Sequence, residues 1–107
     1  MNKARLEQLL AFLKEDPHDP FHWYAIANEY RSTQPEKALA YLEELKDRFP
    51  DYVPTYLTLA MLLEELQEND RALRVYQDGI DVAEAAKEVK ALAELRNAYQ
   101  NLLFDLD

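Results

Sequence analysis

One hydrophobic pattern occurs twice along this chain, spaced by the length of one helical hairpin. Pro17-x5-Trp23-x2-Ile26-Ala27-x2-Tyr30 returns 33 residues on as Pro50-x5-Tyr56-x2-Leu59-Ala60-x2-Leu63. Ala38-x3-Leu42-x2-Leu45 returns 34 residues on as Ala72-x3-Tyr76-x2-Gly79, so the turn between the two blocks differs by one residue. A period of this size marks a stacked-repeat architecture, in which each unit is too small to bury its apolar face alone and hides it against the next.

The residues between these landmarks are rich in Ala, Leu, Glu and Lys, which favour helix, and no stretch alternates with period two. The chain is therefore all-α. Glycine occurs once, and the prolines at 17, 20, 35, 50 and 54 mark where helices stop and start. A first helix covers residues 2–15, with Leu6, Leu9, Leu10 and Leu13 on one face. Asp19 is the expected N-cap of a second helix that begins at Pro20 and buries Trp23, Ile26, Ala27 and Tyr30. After a link at Ser32–Pro35, a third helix turns Ala38, Leu42 and Leu45 inward. Asp51 is the expected cap of a fourth helix with Pro54 in its first turn. Its stripe of Tyr56, Leu59, Ala60, Leu63 and Leu66, widened by Leu57, Met61 and Leu62, predicts the most enclosed helix. Asn69 is the expected cap of a fifth, which carries Ala72, Leu73, Tyr76 and Ile80. A sixth, from about Glu88 to Phe104, aligns Leu92, Leu95, Tyr99, Leu102 and Leu106. The segment 83–91 has neither Gly nor Pro, so a turn near Ala86–Glu88 is predicted from the repeat period rather than from composition.

The repeated set resembles the tetratricopeptide signature W-x2-L-G-x2-Y, then A-x3-F, then P. The resemblance spans residues 17–50 and 51–84 as two repeats, with 2–15 as a lone second-half helix and 87–105 as a capping helix, all in one domain of 1–107. It implies about six helices, stacked as antiparallel hairpins into a short right-handed α-solenoid. Ala27 and Ala60 take the family's Gly slot, and Ala38 and Ala72 its Ala slot, where small side chains let two helices approach. Gly79 replaces a usual Ala, Glu84 replaces a usual Pro, and the sixth helix lacks the W-L-G-Y set.

The resemblance also implies a non-catalytic protein-interaction module. In such repeats the first helix of each hairpin lines a concave groove, which here assigns Phe21, Tyr24, Asn28 and Arg31, then Leu57, Met61, Glu64 and Glu65. Aromatic residues, Met and Arg are the usual anchors of recognition surfaces. A sixth helix folded across them would bury them as core; left open, they would hold a short peptide at about micromolar affinity. Only Asn28 matches the polar lining of members that grip a C-terminal carboxylate, which argues against that use. The partner is an unidentified protein or peptide. A second possibility is self-association, since Leu95, Tyr99, Leu102, Leu103 and Phe104 put more apolar surface on the last helix than a one-sided cap needs. A homodimer face there would bury the excess.

Charge narrows the partners further. Acidic residues outnumber basic ones 21 to 12, giving a net charge of −9, which disfavours nucleic acid and anionic membranes. Cysteine is absent, which removes thiolate chemistry and disulfides. The one glycine leaves no phosphate-binding loop, and no cofactor is expected. His18 and His22 with Asp16 and Asp19 are potential metal ligands, but Pro17 and Pro20 interrupt the helix that paired ligands need, so no metal is expected. The apolar run at residues 9–13 is too short for a signal segment and is closed by charge, so the chain reads as cytoplasmic.

Overall fold

Prolines open three of the six helices. The computed structural model describes residues 2–107, which form α1 (Lys3–Glu15), α2 (Pro20–Tyr30), α3 (Pro35–Arg48), α4 (Pro54–Glu65), α5 (Asn69–Ala85) and α6 (Val89–Leu106), with no strand among them. Pro20, Pro35 and Pro54 each take the first helical position, where the missing N–H would have had no partner anyway. Asp19 caps α2 by accepting from the Phe21 amide at 3.0 Å, and Asn2 caps α1 by accepting from the Arg5 amide at 3.0 Å.

Two expected caps fall elsewhere. Asp51 lies outside α4, because Tyr52 and Val53 already form a tight turn whose carbonyls accept from the Thr55 and Tyr56 amides. Val53 then holds the cap position in helical backbone, without a side-chain bond. Asn69 is the first residue of α5 rather than its cap; Glu68 precedes it, also without a side-chain bond.

The reason lies in how α4 ends. Gln67 adopts φ 63°, and the Gln67 and Glu68 amides donate back to the carbonyls of Glu64 and Leu63. This is a Schellman turn, and it delivers the chain into α5 with Glu68 serving both helices. The α5–α6 turn repeats the device. Lys87 has φ 59°, and the Lys87 and Glu88 amides donate to Glu84 and Ala83. A turn free of Gly and Pro is thus built from an ordinary residue held left-handed. Relief of left-handed strain by glycine is worth about 1–2 kcal/mol, offset in part by the greater entropy of the unfolded chain. Lys87→Gly is expected to raise stability by a net ~0.5–1 kcal/mol in urea denaturation.

The chain divides into two compact units, one up to Phe49 and one from Pro50 to Asp107. In the first, α2 packs on both α1 and α3, burying Leu9, Ile26, Ala27, Tyr30, Ala38, Leu42 and Leu45. In the second, α4 packs on α5, α5 on α6, and α6 also touches α4. Its core includes Tyr56, Leu59, Ala60, Leu62, Leu63, Ala72, Val75, Tyr76, Ala83, Leu95 and Leu102. Leu73 and Ile80, expected inside, are only half-buried, while Val75 and Gly79 take fully buried positions on α5. All four small residues of the repeat, Ala27, Ala38, Ala60 and Ala72, are buried as expected.

The repeated Pro-x5-aromatic spacing has a hydrogen-bonding reason. The Trp23 indole N–H donates to the Pro17 carbonyl at 3.0 Å, and the Tyr56 hydroxyl donates to the Pro50 carbonyl at 2.5 Å. Each aromatic ring fills the start of its hairpin while its polar edge ties the entering chain to the helix.

Candidate interaction surface

On α2 and α4 the stripe that packs inward is flanked by a second stripe whose side chains reach the surface. Phe21, Tyr24 and Asn28 recur at helical spacing on α2, and Arg31 continues the spacing at its C-cap. Phe21 is 53% exposed, Asn28 is exposed, and Tyr24 and Arg31 are half-buried. Met61 of α4 is 40% exposed, Glu65 is exposed, and Leu57 and Glu64 are half-buried. Each helix therefore offers one large apolar side chain at the surface with polar neighbours. Glu64 also has an internal role, since its carboxylate accepts from the Tyr76 hydroxyl.

The α2–α3 pair is reinforced beside this stripe. Tyr41 stacks on Tyr30 with centroids 5.8 Å apart and tilts against Trp23 at 6.0 Å. The Arg48 guanidinium lies 4.9 Å from the Trp23 ring centre and bonds Glu44 at 2.6 Å. Burial, then the neighbouring Tyr30, raises the Tyr41 pKa above its ordinary value. Burial, then Asp78 and Asp51, does the same for Tyr56. Both phenols are held in the neutral form, as their packing and hydrogen-bonding roles require.

The last helix sorts its apolar residues differently from the expected dimer face. Leu95 is buried, with a methyl group reaching the α5 backbone at Gly79, and Leu102 is buried as well. Tyr99 is half-buried, and its hydroxyl accepts from the Gln77 amide nitrogen at 2.9 Å. Only Leu103 and Phe104 of that set reach the surface.

Asp16, Asp19 and His22 do converge, with one donor atom from each within 4.8 Å of the others; His18 stands apart. Sequence spacing concealed this because the prolines were expected to separate them. The two aspartates are instead bent back by bonds from the His18 and Phe21 amides, which orient them at the entry to α2. His22 Nε2 lies 3.7 Å from the Asp19 carboxylate. Its other nitrogen, Nδ1, is buried with no hydrogen-bond partner. Metal-ligating imidazoles almost always tie that nitrogen to an acceptor, a bond His22 does not make here, while both aspartates orient the entry to α2. Among the described residues, no helix is long and apolar enough to cross a membrane.

No protein-family model and no curated protein matches the chain. Solved structures do. The solution structure of a tetratricopeptide repeat domain protein from Salinibacter ruber is 42% identical over 81% of this chain and 89% of that one, with a TM-score of 0.77. A crystal structure of a tetratricopeptide repeat domain protein from the same organism is 41% identical over 79% and 96%, with a TM-score of 0.75. A protein of Bordetella parapertussis shares the fold at 20% identity, with a TM-score of 0.79. Tetratricopeptide domains are generally non-catalytic scaffolds for protein–protein interaction. With the hairpins, the small residues at their crossings and this likeness in agreement, the chain belongs to the tetratricopeptide repeat family.

Proposed function

We propose that the chain binds a peptide or helix of a partner protein, and that the surface stripe of α2 and the surface stripe of α4 each act as a contact in their own right. The observation that carries this reading is the exposure of Phe21 and Met61, one on the first helix of each hairpin, beside fully buried small-residue stripes. An aromatic ring or a methionine at the surface of a helix whose packing face is already filled is free to anchor a partner. Asn28 on α2 with Arg31 at its C-cap, and Glu64 and Glu65 on α4, supply the polar margin of each stripe. With a handful of anchors the affinity is modest, on the order of micromolar.

Phe21→Glu combined with Met61→Glu tests this directly. Both side chains are at the surface, so far-UV circular dichroism and the melting temperature are expected to stay close to wild type. Capture of partner proteins on immobilised protein is expected to fall at least about tenfold, as loss of anchor residues does elsewhere. Undiminished capture of the same partners by the folded double variant would remove both stripes from consideration.

A further inference from the structure

At the link between α5 and α6, local preference and tertiary packing disagree. Residues 83–91 are Ala, Glu, Lys and one Val, mostly strong helix formers, with no Gly or Pro. The chain nevertheless turns at Lys87, an ordinary residue held at φ 59°. Glu88 offers α6 no side-chain cap, and the Val89, Lys90 and Ala91 amides find no acceptor in the chain before Leu92 bonds the Glu88 carbonyl. In a continuous helix those three amides would bond the carbonyls of Ala85, Ala86 and Lys87, and residue 87 would return to right-handed backbone. Glu84 and Glu88 would then repel at a spacing of four, offset by Lys87 three residues beyond Glu84.

What holds the turn is the packing of α6 on α5 and α4. Leu95 reaches the α5 backbone at Gly79, Tyr99 accepts from Gln77 at 2.9 Å, and Arg96 bonds Glu84 at 2.9 Å. Each of these pairs lies almost evenly on either side of Lys87 to Lys90. Two continuous helices laid antiparallel about a two-fold axis at that point therefore restore the same contacts between copies, with α6 of one on α5 and α4 of the other. A second α6 fits the site that α6 vacates residue for residue, so the occupant is another copy of this chain.

We infer that two copies of the chain exchange α6, with α5 and α6 of each joined into one helix over residues 69–106. That helix is roughly 57 Å long against roughly 18 Å for α4, so Leu95 and Leu102 are covered by the second copy. The hinge decides the balance between the two forms. A tether as short as this turn favours the closed monomer, with an effective concentration on the order of millimolar. Two left-handed hinges relax in each dimer, which brings its dissociation constant down to about 10–100 μM.

Exchange requires α6 to leave α5, so the 107-residue chain is unfolded in urea, refolded at about 1 mM and analysed by sedimentation velocity. Each copy carries −9, and salt of about 0.15 M screens their repulsion. A species of twice 12.6 kDa is expected beside the monomer. Lys87→Gly removes the left-handed strain and disfavours the straight helix, so its dimer is expected to be weaker by at least about a hundredfold. Phe21→Glu, on α2, is expected to leave exchange unchanged, which keeps this test apart from partner binding. Because the chain has no cysteine, geometry is read by pulsed electron resonance on nitroxides at Arg74→Cys and Asn101→Cys. With labelled chains diluted in excess unlabelled chain, their separation is expected to grow from below about 25 Å in the monomer to about 40 Å in the dimer. A monomer under all these conditions overturns the proposal, as does a dimer that Lys87→Gly leaves intact or one whose labels stay within about 25 Å.

Discussion

Truncating Tyr76 to alanine is expected to cost about 3–5 kcal/mol, the largest effect of any single substitution considered for this chain. Tyr76 is fully buried on α5, where α4 packs, and its hydroxyl donates to the Glu64 carboxylate. Alanine would leave a cavity that the neighbouring helices cannot close, and it would leave Glu64 without its internal donor. For a domain of this size the loss is about a fifth or more of a total of roughly 5–15 kcal/mol. Urea denaturation followed by circular dichroism measures it as a fall in midpoint at an unchanged slope. Tyr76→Phe separates the two contributions. It keeps the ring and removes only the hydrogen bond to a charged acceptor, so it is expected to cost about 1.5–3 kcal/mol. A cost below about 1 kcal/mol for Tyr76→Ala would mean that the residue is not in the core of the α4–α5 pair.

Gly79→Ala is expected to destabilise the fold by about 1–2 kcal/mol, against the trend for an interior helical glycine. Alanine would ordinarily gain about 1 kcal/mol in the middle of a helix. Here a Cβ would sit 2.5 Å from Tyr56 Cβ, 3.0 Å from Tyr56 Cγ and 3.1 Å from a Leu95 methyl carbon. Tyr56 Cβ is fixed to the α4 backbone, so no rotamer change relieves the closest approach and the helices themselves must separate. Separation strains the Tyr56 hydroxyl bond to the Pro50 carbonyl and loosens the packing of α5 on both of its neighbours. The urea midpoint reports the sign: a rise on Gly79→Ala would show that α5 sits farther from α4 than the structure places it.

These two residues show what a repeat pattern reveals and what it leaves out. Tyr76 and Gly79 were recognisable as the second copy of Leu42 and Leu45, and hence as inward-facing. Their individual chemistry was not. A tyrosine in a leucine position needs a hydrogen-bond partner, and the partner, Glu64, is twelve residues away on another helix. Spacing put Phe21 off the packed stripe of α2, whereas Met61, which the sequence placed both in the widened stripe of α4 and among the groove residues, is 40% exposed. For Glu64 the same rule was incomplete, since the carboxylate serves the core from a half-buried position.

The apolar excess of α6 was visible as composition, whereas its division into an inner and an outer side was not. Leu95, Tyr99 and Leu102 share a stripe with Leu92 and turn toward α5; Phe104 lies off that stripe and Val89 opens the helix on the exposed side. The convergence of Asp16, Asp19 and His22 was likewise hidden, because it depends on two bonds from backbone amides to the aspartate carboxylates in a proline-bounded loop.

The sequence by itself determined the all-α class, the inward stripes of the hairpins and the small residues at their crossings. These follow from helical periodicity and proline placement, which are local properties of the chain. Tertiary structure alone decided which helix ends use left-handed residues, why position 79 must be glycine, and which face of α6 remains in water. Each of these depends on atoms brought together from distant positions, where a few tenths of an ångström between packed helices decide the sign of the energy.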